Sequence, residues 1–402
     1  MKGDLAIPFH TFLAIFYEIC TENDNMKTTK QGSLATILPL CLLLLFLGLE
    51  AGGFQRSIGD MAREYHLDAA LAGGLVSGQY AIMVIAPLLA GRIADRRSYQ
   101  TALLAGILCF SCGCLGIQAS LRCTVLPAVL LIGAGYSFIE CTATALLTRL
   151  PCGAAAVNGS QGVFCFGALL APVLAARFSL PWRFSFLIPG LAALLIFPLF
   201  LRDRSARLCP DRQASGTAPV LPAGIFILLC AIFLYGMIEN GTAYTLVRFF
   251  TNHLHSACGA YALTAFWLAM ALGRTLCILP LVRRIPTWCC CLLTFLALVL
   301  LSLAQTDILA LTAAFLTGLS CSSLWTGIML TASARAGTHA GTVIGCMSLA
   351  SCFGGTVSPT LLGIFEKRFG GAIPVLILSM TALLMAVAMF FSANHTFSYK
   401  RR

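Results

Sequence analysis

Charge is what this sequence has least of. Asp, Glu, Lys and Arg make up 10% of its 402 residues, where a soluble globular domain carries about 25%. Hydrophobic residues make up 59% and the mean hydropathy is +0.89. An ordinary soluble fold is excluded, because the polar outer faces it needs are missing. A nucleic-acid partner is excluded as well, despite the net charge of +11, because the basic residues sit in short loops between apolar segments. Signatures of catalysis are absent: no HExxH, GxSxG or P-loop pattern occurs. The six histidines lie outside the deep apolar runs. The chain does not read as an enzyme. A cleavable signal peptide is also missing, since the apolar run after Met26 is long enough to remain as an anchor.

Cysteine is plentiful, with nineteen residues, but it lacks the paired, loop-borne spacing of zinc sites. Cys109, Cys112 and Cys114, and the contiguous Cys289, Cys290 and Cys291, fall in apolar helical runs. They read as small hydrophobic filler. No cofactor and no metal is expected.

Long apolar runs are what the sequence has in abundance. A helix of about 20 apolar residues crosses the ~30 Å hydrocarbon core of a bilayer. Twelve such segments fall near 34–55, 69–90, 99–119, 123–148, 157–178, 182–201, 221–247, 257–281, 287–304, 308–333, 341–365 and 371–393. The expected class is an all-α membrane protein with twelve transmembrane helices. Its parts are an N-terminal segment 1–33, a first six-helix bundle 34–201, a linker 202–220, a second six-helix bundle 221–394 and a tail 395–402. Residues 1–25 read as a misread start or loose appendage, because Met26 opens a natural basic lead-in, MKTTKQGS. Sixteen Lys and Arg fall on the side of both termini and the linker, against eight on the other. The positive-inside rule puts the termini in the cytoplasm, in an inner or plasma membrane.

The two groups of six are internal repeats. FCFGALLAPVLAARF (164–178) realigns with SCFGGTVSPTLLGIF (351–365) at an offset of 187. LEAG (49–52) meets IENG (238–241) at 189, and Arg149 meets Arg335 at 186. Ordered echoes at nearly one offset mark duplication. Parallel six-plus-six repeats are an arrangement of alternating-access transporters, with the site between the halves near the midplane. Gly133, Gly135, Gly318 and Gly354 read as close helix contacts.

GRIADRRSYQ (91–100) follows the second segment. It resembles the loop signature of the major facilitator superfamily through Gly91, Ala94, Asp95 and Arg96. The resemblance implies the two-repeat fold of that superfamily and a latch at the cytoplasmic ends, built from Gly91, Asp95, Arg96 and Arg149. Asp95 suits this role physically, by facing a helix N-terminus or an arginine such as Arg149. GYSFIECTATA (135–145) and NGSQGVFCFGA (158–168) resemble helices four and five of the fucose:proton symporter family, with Glu140, Asn158, Gln161, Phe166, Gly167 and Ala168 in place. Glu50 falls where that family carries an acid in helix one. Phe164 is a departure, standing where the resemblance implies a polar amide.

Glu50, Glu140, Glu239 and Arg274 are the ionisable side chains deep in the spans. A charge at mid-bilayer costs about 2.5–3.5 kcal/mol on insertion scales, so these groups should face the bundle interior. Helical rise puts Glu140 and Arg274 each about 13 Å from the cytoplasmic rim, level with one another. Glu50 and Glu239 form a repeat-related outer pair. Three acids and one base cannot all be paired and ionised, so at least one carboxylate is protonated, hydrated or bound. All four are read as proton-coupling groups, with Glu140 carrying the proton and Glu50 nearer the substrate. Substrate contacts are expected from Glu50, Gln79, Gln161, Tyr235, Glu239, Asn240, Trp267 and Trp325. The expected function is proton-coupled symport of a small, sugar-like organic solute by a monomer, with substrate, protons and lipid as its partners. Alternatives are a proton-driven efflux antiporter for drugs or metabolites, and a non-transporting receptor or scaffold on the same fold.

Overall fold

A computed structural model describes residues 27–66, 69–119, 121–150, 152–202, 223–336, 339–370 and 372–399. The proposed start at Met26 and most of the linker lie outside the described residues. Every described element is helical. In a bilayer each backbone N–H and C=O must be satisfied within the chain, and a helix does this one segment at a time.

The twelve spans are α1 (Lys27–Glu64), α2 (Ala69–Arg96), α3 (Tyr99–Gly116), α4 (Arg122–Leu147), α5 (Gly153–Arg177) and α6 (Phe184–Arg202). They continue as α7 (Ala223–Arg248), α8 (Gly259–Leu276), α9 (Thr287–Ser302), α10 (Asp307–Cys321 and Leu324–Ala336), α11 (Ala340–Phe369) and α12 (Ile373–Tyr399). Three local differences from the sequence expectation have plain causes. The region of the 91–100 signature is helical through Arg96 rather than a loop, and Ser98 starts α3 by accepting from Thr101 N at 3.0 Å. The eighth span stops at Leu276, and Pro280 opens a separate turn over Pro280–Arg283, since proline cannot extend a helix from within. The tenth breaks at Ser322–Ser323, where the Ser322 hydroxyl donates back to Leu319 O at 2.6 Å, a competition for backbone acceptors that bends helices.

Packing repeats with the sequence. In the first set α1 packs on α5 and α6, α3 on α4 and α6, and α2 on α4. In the second set α7 packs on α11 and α12, α9 on α10 and α12, and α8 on α10. Each pairing is its counterpart shifted by six helices. The closest approaches repeat too. A Cβ on Gly48 would strike Phe164 O and one on Gly167 would strike Leu45 O. Likewise a Cβ on Gly236 would strike Ser351 O and one on Gly354 would strike Phe233 O. Glycine is what lets α1 lie on α5 and α7 on α11 at backbone distance.

The two sets meet chiefly through α2 with α11 and α5 with α8. These are again related by the shift of six. Twelve crossings return the chain to the face where α1 begins, called here the terminal face. On the opposite face, the Glu64 carboxylate at the end of α1 accepts from Arg183 and from Trp182 Nε1, the latter at 2.8 Å. Arg183 also donates to Ile117 O at 2.9 Å. These bonds hold the Glu64 carboxyl below the usual carboxylate range, the Arg183 hydrogen bond chiefly, and brace the ends of α1, α3 and α6 into one rim.

Candidate functional site between the two helix sets

α1, α2, α4 and α5 from one set and α7, α8, α10 and α11 from the other enclose a central cavity of about 400 Å³. Every expected proton-coupling or substrate-contact residue except Tyr235 lines it: Glu50, Gln79, Glu140, Gln161, Glu239, Asn240, Trp267, Arg274 and Trp325. Tyr235 is fully buried behind the wall and touches Arg274 instead. The cavity runs from Gln161 and Arg274 toward the opposite face, where Gly52 and Phe54 of α1 and Leu263 and Thr264 in the first turns of α8 line it.

Arg274 organises the floor. Its Nη2 lies 3.3 Å from Glu239 Oε1 and donates to the Tyr235 hydroxyl at 3.2 Å. Its Nη1 donates across the divide to Gln161 Oε1 at 3.3 Å and to Cys165 Sγ at 3.1 Å. An ion pair out of water holds only with further hydrogen bonds around it, and α5 and α7 supply them. The depth count made Arg274 level with Glu140, yet its ion-pair partner is Glu239, one helix away in its own set. Glu140 instead takes a hydrogen bond from Gln161 and feels the Arg274 charge from a distance. Glu50 is 1% exposed and accepts from Gln79 Nε2 at 3.5 Å.

Several lining groups were missed in the sequence. Tyr80, Tyr136, Ser348 and Ser351 look unremarkable in apolar helices. Cys165 and Cys352 also line the cavity, although they read as filler. Their signal was present in the repeat, which aligns the two at its offset of 187. Phe164 faces the cavity and meets the Tyr136 ring edge-on at 6.0 Å.

Below the cavity the sets close on one another. Asp95, in the last turn of α2, accepts from Gly341 N at 2.9 Å and Thr342 N at 2.6 Å. It caps the start of α11, where the chain's own N-cap position, His339, supplies no side-chain bond. A carboxylate there satisfies two orphan amides and faces the positive end of the helix dipole. Gly91 makes the approach possible, since a Cβ would strike Gly341 O. Arg149 does not pair with Asp95. It packs over the Tyr99 ring at 5.0 Å. Arg96 is exposed at the end of α2. Ser333 and Thr148 join the ends of α10 and α4 by a hydroxyl pair at 2.8 Å.

Comparison with known proteins agrees with this architecture. A family model described as Major Facilitator Superfamily matches residues 40–359. Among solved structures, FucP, the E. coli fucose:proton symporter, is matched in its outward conformation with a TM-score of 0.74 at 18% identity, over 89% of this chain and 99% of that one. The proton:xylose symporter XylE bound to 6-bromo-6-deoxy-D-glucose matches with a TM-score of 0.71 at 14% identity, over 90% and 96%. The human organic anion transporter MFSD10 (TETRAN) matches with a TM-score of 0.66 at 17% identity, over 95% and 100%. No curated protein matches by sequence.

Proposed function

The chain belongs to the Major Facilitator Superfamily, a multi-pass membrane transporter, and from that premise we propose that it is a proton-coupled carrier of a small organic solute, working by alternating access. The observation that carries this reading is the cavity: three carboxylates and one arginine line a space between two repeat-related helix sets, closed on the terminal face. The Lys and Arg count supports a cytoplasmic terminal face in an inner or plasma membrane, so the arrangement reads as outward-facing. The chain acts as a monomer, because each subunit holds a whole cavity. The division at residues 34–201 and 221–394 matches two bodies rocking about that cavity.

Gly91, Asp95 and the start of α11 form the latch of the outward-facing state. Release of Asp95 from the α11 amides, and of Arg274 from Gln161 and Cys165, lets the terminal face open. Glu140 carries the proton. It lines the cavity beside the Gln161–Arg274 contact, where rocking of the halves changes its surroundings. Uptake of a sugar-like solute with a proton is the reading that the symporters named above bring. Proton-driven exchange is a second reading, favoured by one observation: two of the three cavity carboxylates have no basic partner among the described residues.

Glu140→Gln keeps the shape of the protonated acid but cannot titrate. In proteoliposomes, with a saturating concentration of a solute found by a screen of sugars and organic ions, this variant is expected to retain counterflow and lose proton-driven accumulation. Normal accumulation against a gradient would show that Glu140 is a static partner and that the proton travels elsewhere.

A further inference from the structure

The cavity wall carries more negative charge than it can balance. Arg274 is matched by Glu239 at 3.3 Å. Among the described residues, Glu50 on α1 and Glu140 on α4 form no ion pair and take their hydrogen bonds from amides, with Arg274 acting on Glu140 only from a distance. A carboxylate removed from water needs a proton or a cation. The amides that would meet a polyhydroxylated solute are already engaged within the wall. Gln79 donates to Glu50, Gln161 bridges Arg274 and Glu140, and Asn240 donates to Gly236 O of its own helix at 3.2 Å. The other polar groups of the lining are hydroxyls: Ser348 and Ser351 on α11, Thr264 on α8, and the phenols of Tyr80 and Tyr136. Much of the rest of the wall is aromatic. Tyr136 and Phe164 stand edge-to-face at 6.0 Å on one side, and Trp267 and Trp325 line the other. Aromatic faces beside carboxylates hold ammonium groups through the ring quadrupole and direct charge attraction.

We infer that the solute is a monovalent organic cation, an amine or quaternary ammonium with an apolar body, which replaces one proton between Glu50 and Glu140 in this aromatic-walled cavity. The inference rests on the transport reading above and narrows its solute. Charge balance carries it. With three acids and one base, the empty cavity becomes neutral when two protons bind. The loaded cavity becomes neutral with one proton and one cation. A neutral sugar leaves both protons in place, and an anion demands a third. The swap moves one positive charge each way, so it is electroneutral exchange: the proton leaves a carboxylate as the ammonium arrives, and no bond other than O–H is broken or made.

The groups facing these two acids fix how the swap depends on pH. Glu140 is faced by Arg274 of α8, Glu239 of α7, Cys352 of α11, and Tyr136 and Cys141 of its own helix. Glu50 is faced by Tyr136 of α4 and Cys114 of α3. Among these the carboxylates are more acidic than the thiols and phenols, so they are the groups that a proton and a cation would contest. Cation affinity therefore falls as pH falls.

The test uses the full-length purified protein and benzyltrimethylammonium, with binding read from tryptophan fluorescence. The expected result is saturable binding that weakens at least tenfold between pH 8 and pH 5. Glu50→Gln and Glu140→Gln should each weaken it at least tenfold at pH 8, and neither L-fucose nor phenylacetate should displace it. Displacement by L-fucose or phenylacetate, or binding indifferent to pH, would overturn the inference. A measurement on unmutated protein guards against variants that misfold. Cys352 should react faster with a trimethylammonium-ethyl methanethiosulfonate than with its sulfonate analogue, the difference vanishing in Cys352→Ser. Equal rates count against the inference. In proteoliposomes a pH gradient should drive benzyltrimethylammonium, and a potassium diffusion potential should not. If the cation binds as described but no gradient moves it, the transport reading falls while the cavity chemistry stands. If a gradient moves L-fucose and the cation does not bind, transport stands and this inference falls.

Discussion

Replacing Asp95 by asparagine tests the coupling between the latch and the cycle. The native carboxylate accepts two amide hydrogen bonds, from Gly341 and Thr342 at 2.9 and 2.6 Å. Hydrogen bonds to a charged group contribute about 1.5–3 kcal/mol each, and a charge at a helix N-terminus adds about 0.3–1 kcal/mol. Asparagine keeps one acceptor and turns an NH2 toward the other amide, so one bond is lost and the second loses its charge. Asp95 is half-buried, and solvent screening lowers the sum to about 2 kcal/mol. At 1.4 kcal/mol per factor of ten, this shifts the equilibrium toward an open terminal face by roughly 30-fold. Nitroxides on unnatural residues at Leu150 and Ala334, at the terminal ends of α4 and α10, would report the opening by electron–electron resonance with the native cysteines left alone. A longer-distance population should grow by about that factor, and transport should slow. Solute affinity should stay nearly constant, because Asp95 does not line the cavity. An unchanged distance distribution together with parental transport rates would refute the reasoning.

Other perturbations have equally defined outcomes. Gly91→Ala places a methyl against Gly341 O, so it should open the terminal face in the same direction as the Asp95 variant, read with the same label pair. Arg274→Ala leaves Glu239 without its cation; breaking a buried pair costs about 3–5 kcal/mol, and adding Glu239→Ala should recover part of the loss in thermal unfolding. The Glu64 carboxyl is held below its ordinary range by Arg183 and Trp182. Its contribution is therefore present above the ordinary carboxylate range, near pH 4, and lost as pH falls through the lowered value. The parent's melting temperature should drop toward that of Glu64→Gln over this acid window, and a constant gap between the two would count against the brace.

Hydropathy and spacing determined a large part of this protein. Twelve apolar runs, each long enough for a bilayer, require helices, because no other segment satisfies its backbone alone in lipid. The echo at 164–178 and 351–365 marked the duplication, and the packing pattern of α1 to α6 recurs in α7 to α12. The cost of burying charge directed Glu50, Glu140, Glu239 and Arg274 inward, and all four line the cavity.

Tertiary structure alone decided which of these groups touch. Depth counting made Arg274 the equal of Glu140, but its ion-pair oxygen belongs to Glu239, because a long arginine spans more than a helical turn and its direction is set by the rotation of α8. The partner of Asp95 was open between a helix N-terminus and Arg149, and the closeness of Gly91 to Gly341 brought α11 rather than Arg149 to it. Cys165 looked like one of many apolar fillers until α5 and α8 met across the divide and put its sulfur 3.1 Å from a guanidinium nitrogen. Periodicity assigns each residue a depth and a face on its own helix. Helix rotation and crossing depend on side chains from distant segments packing together, and these choose the partners.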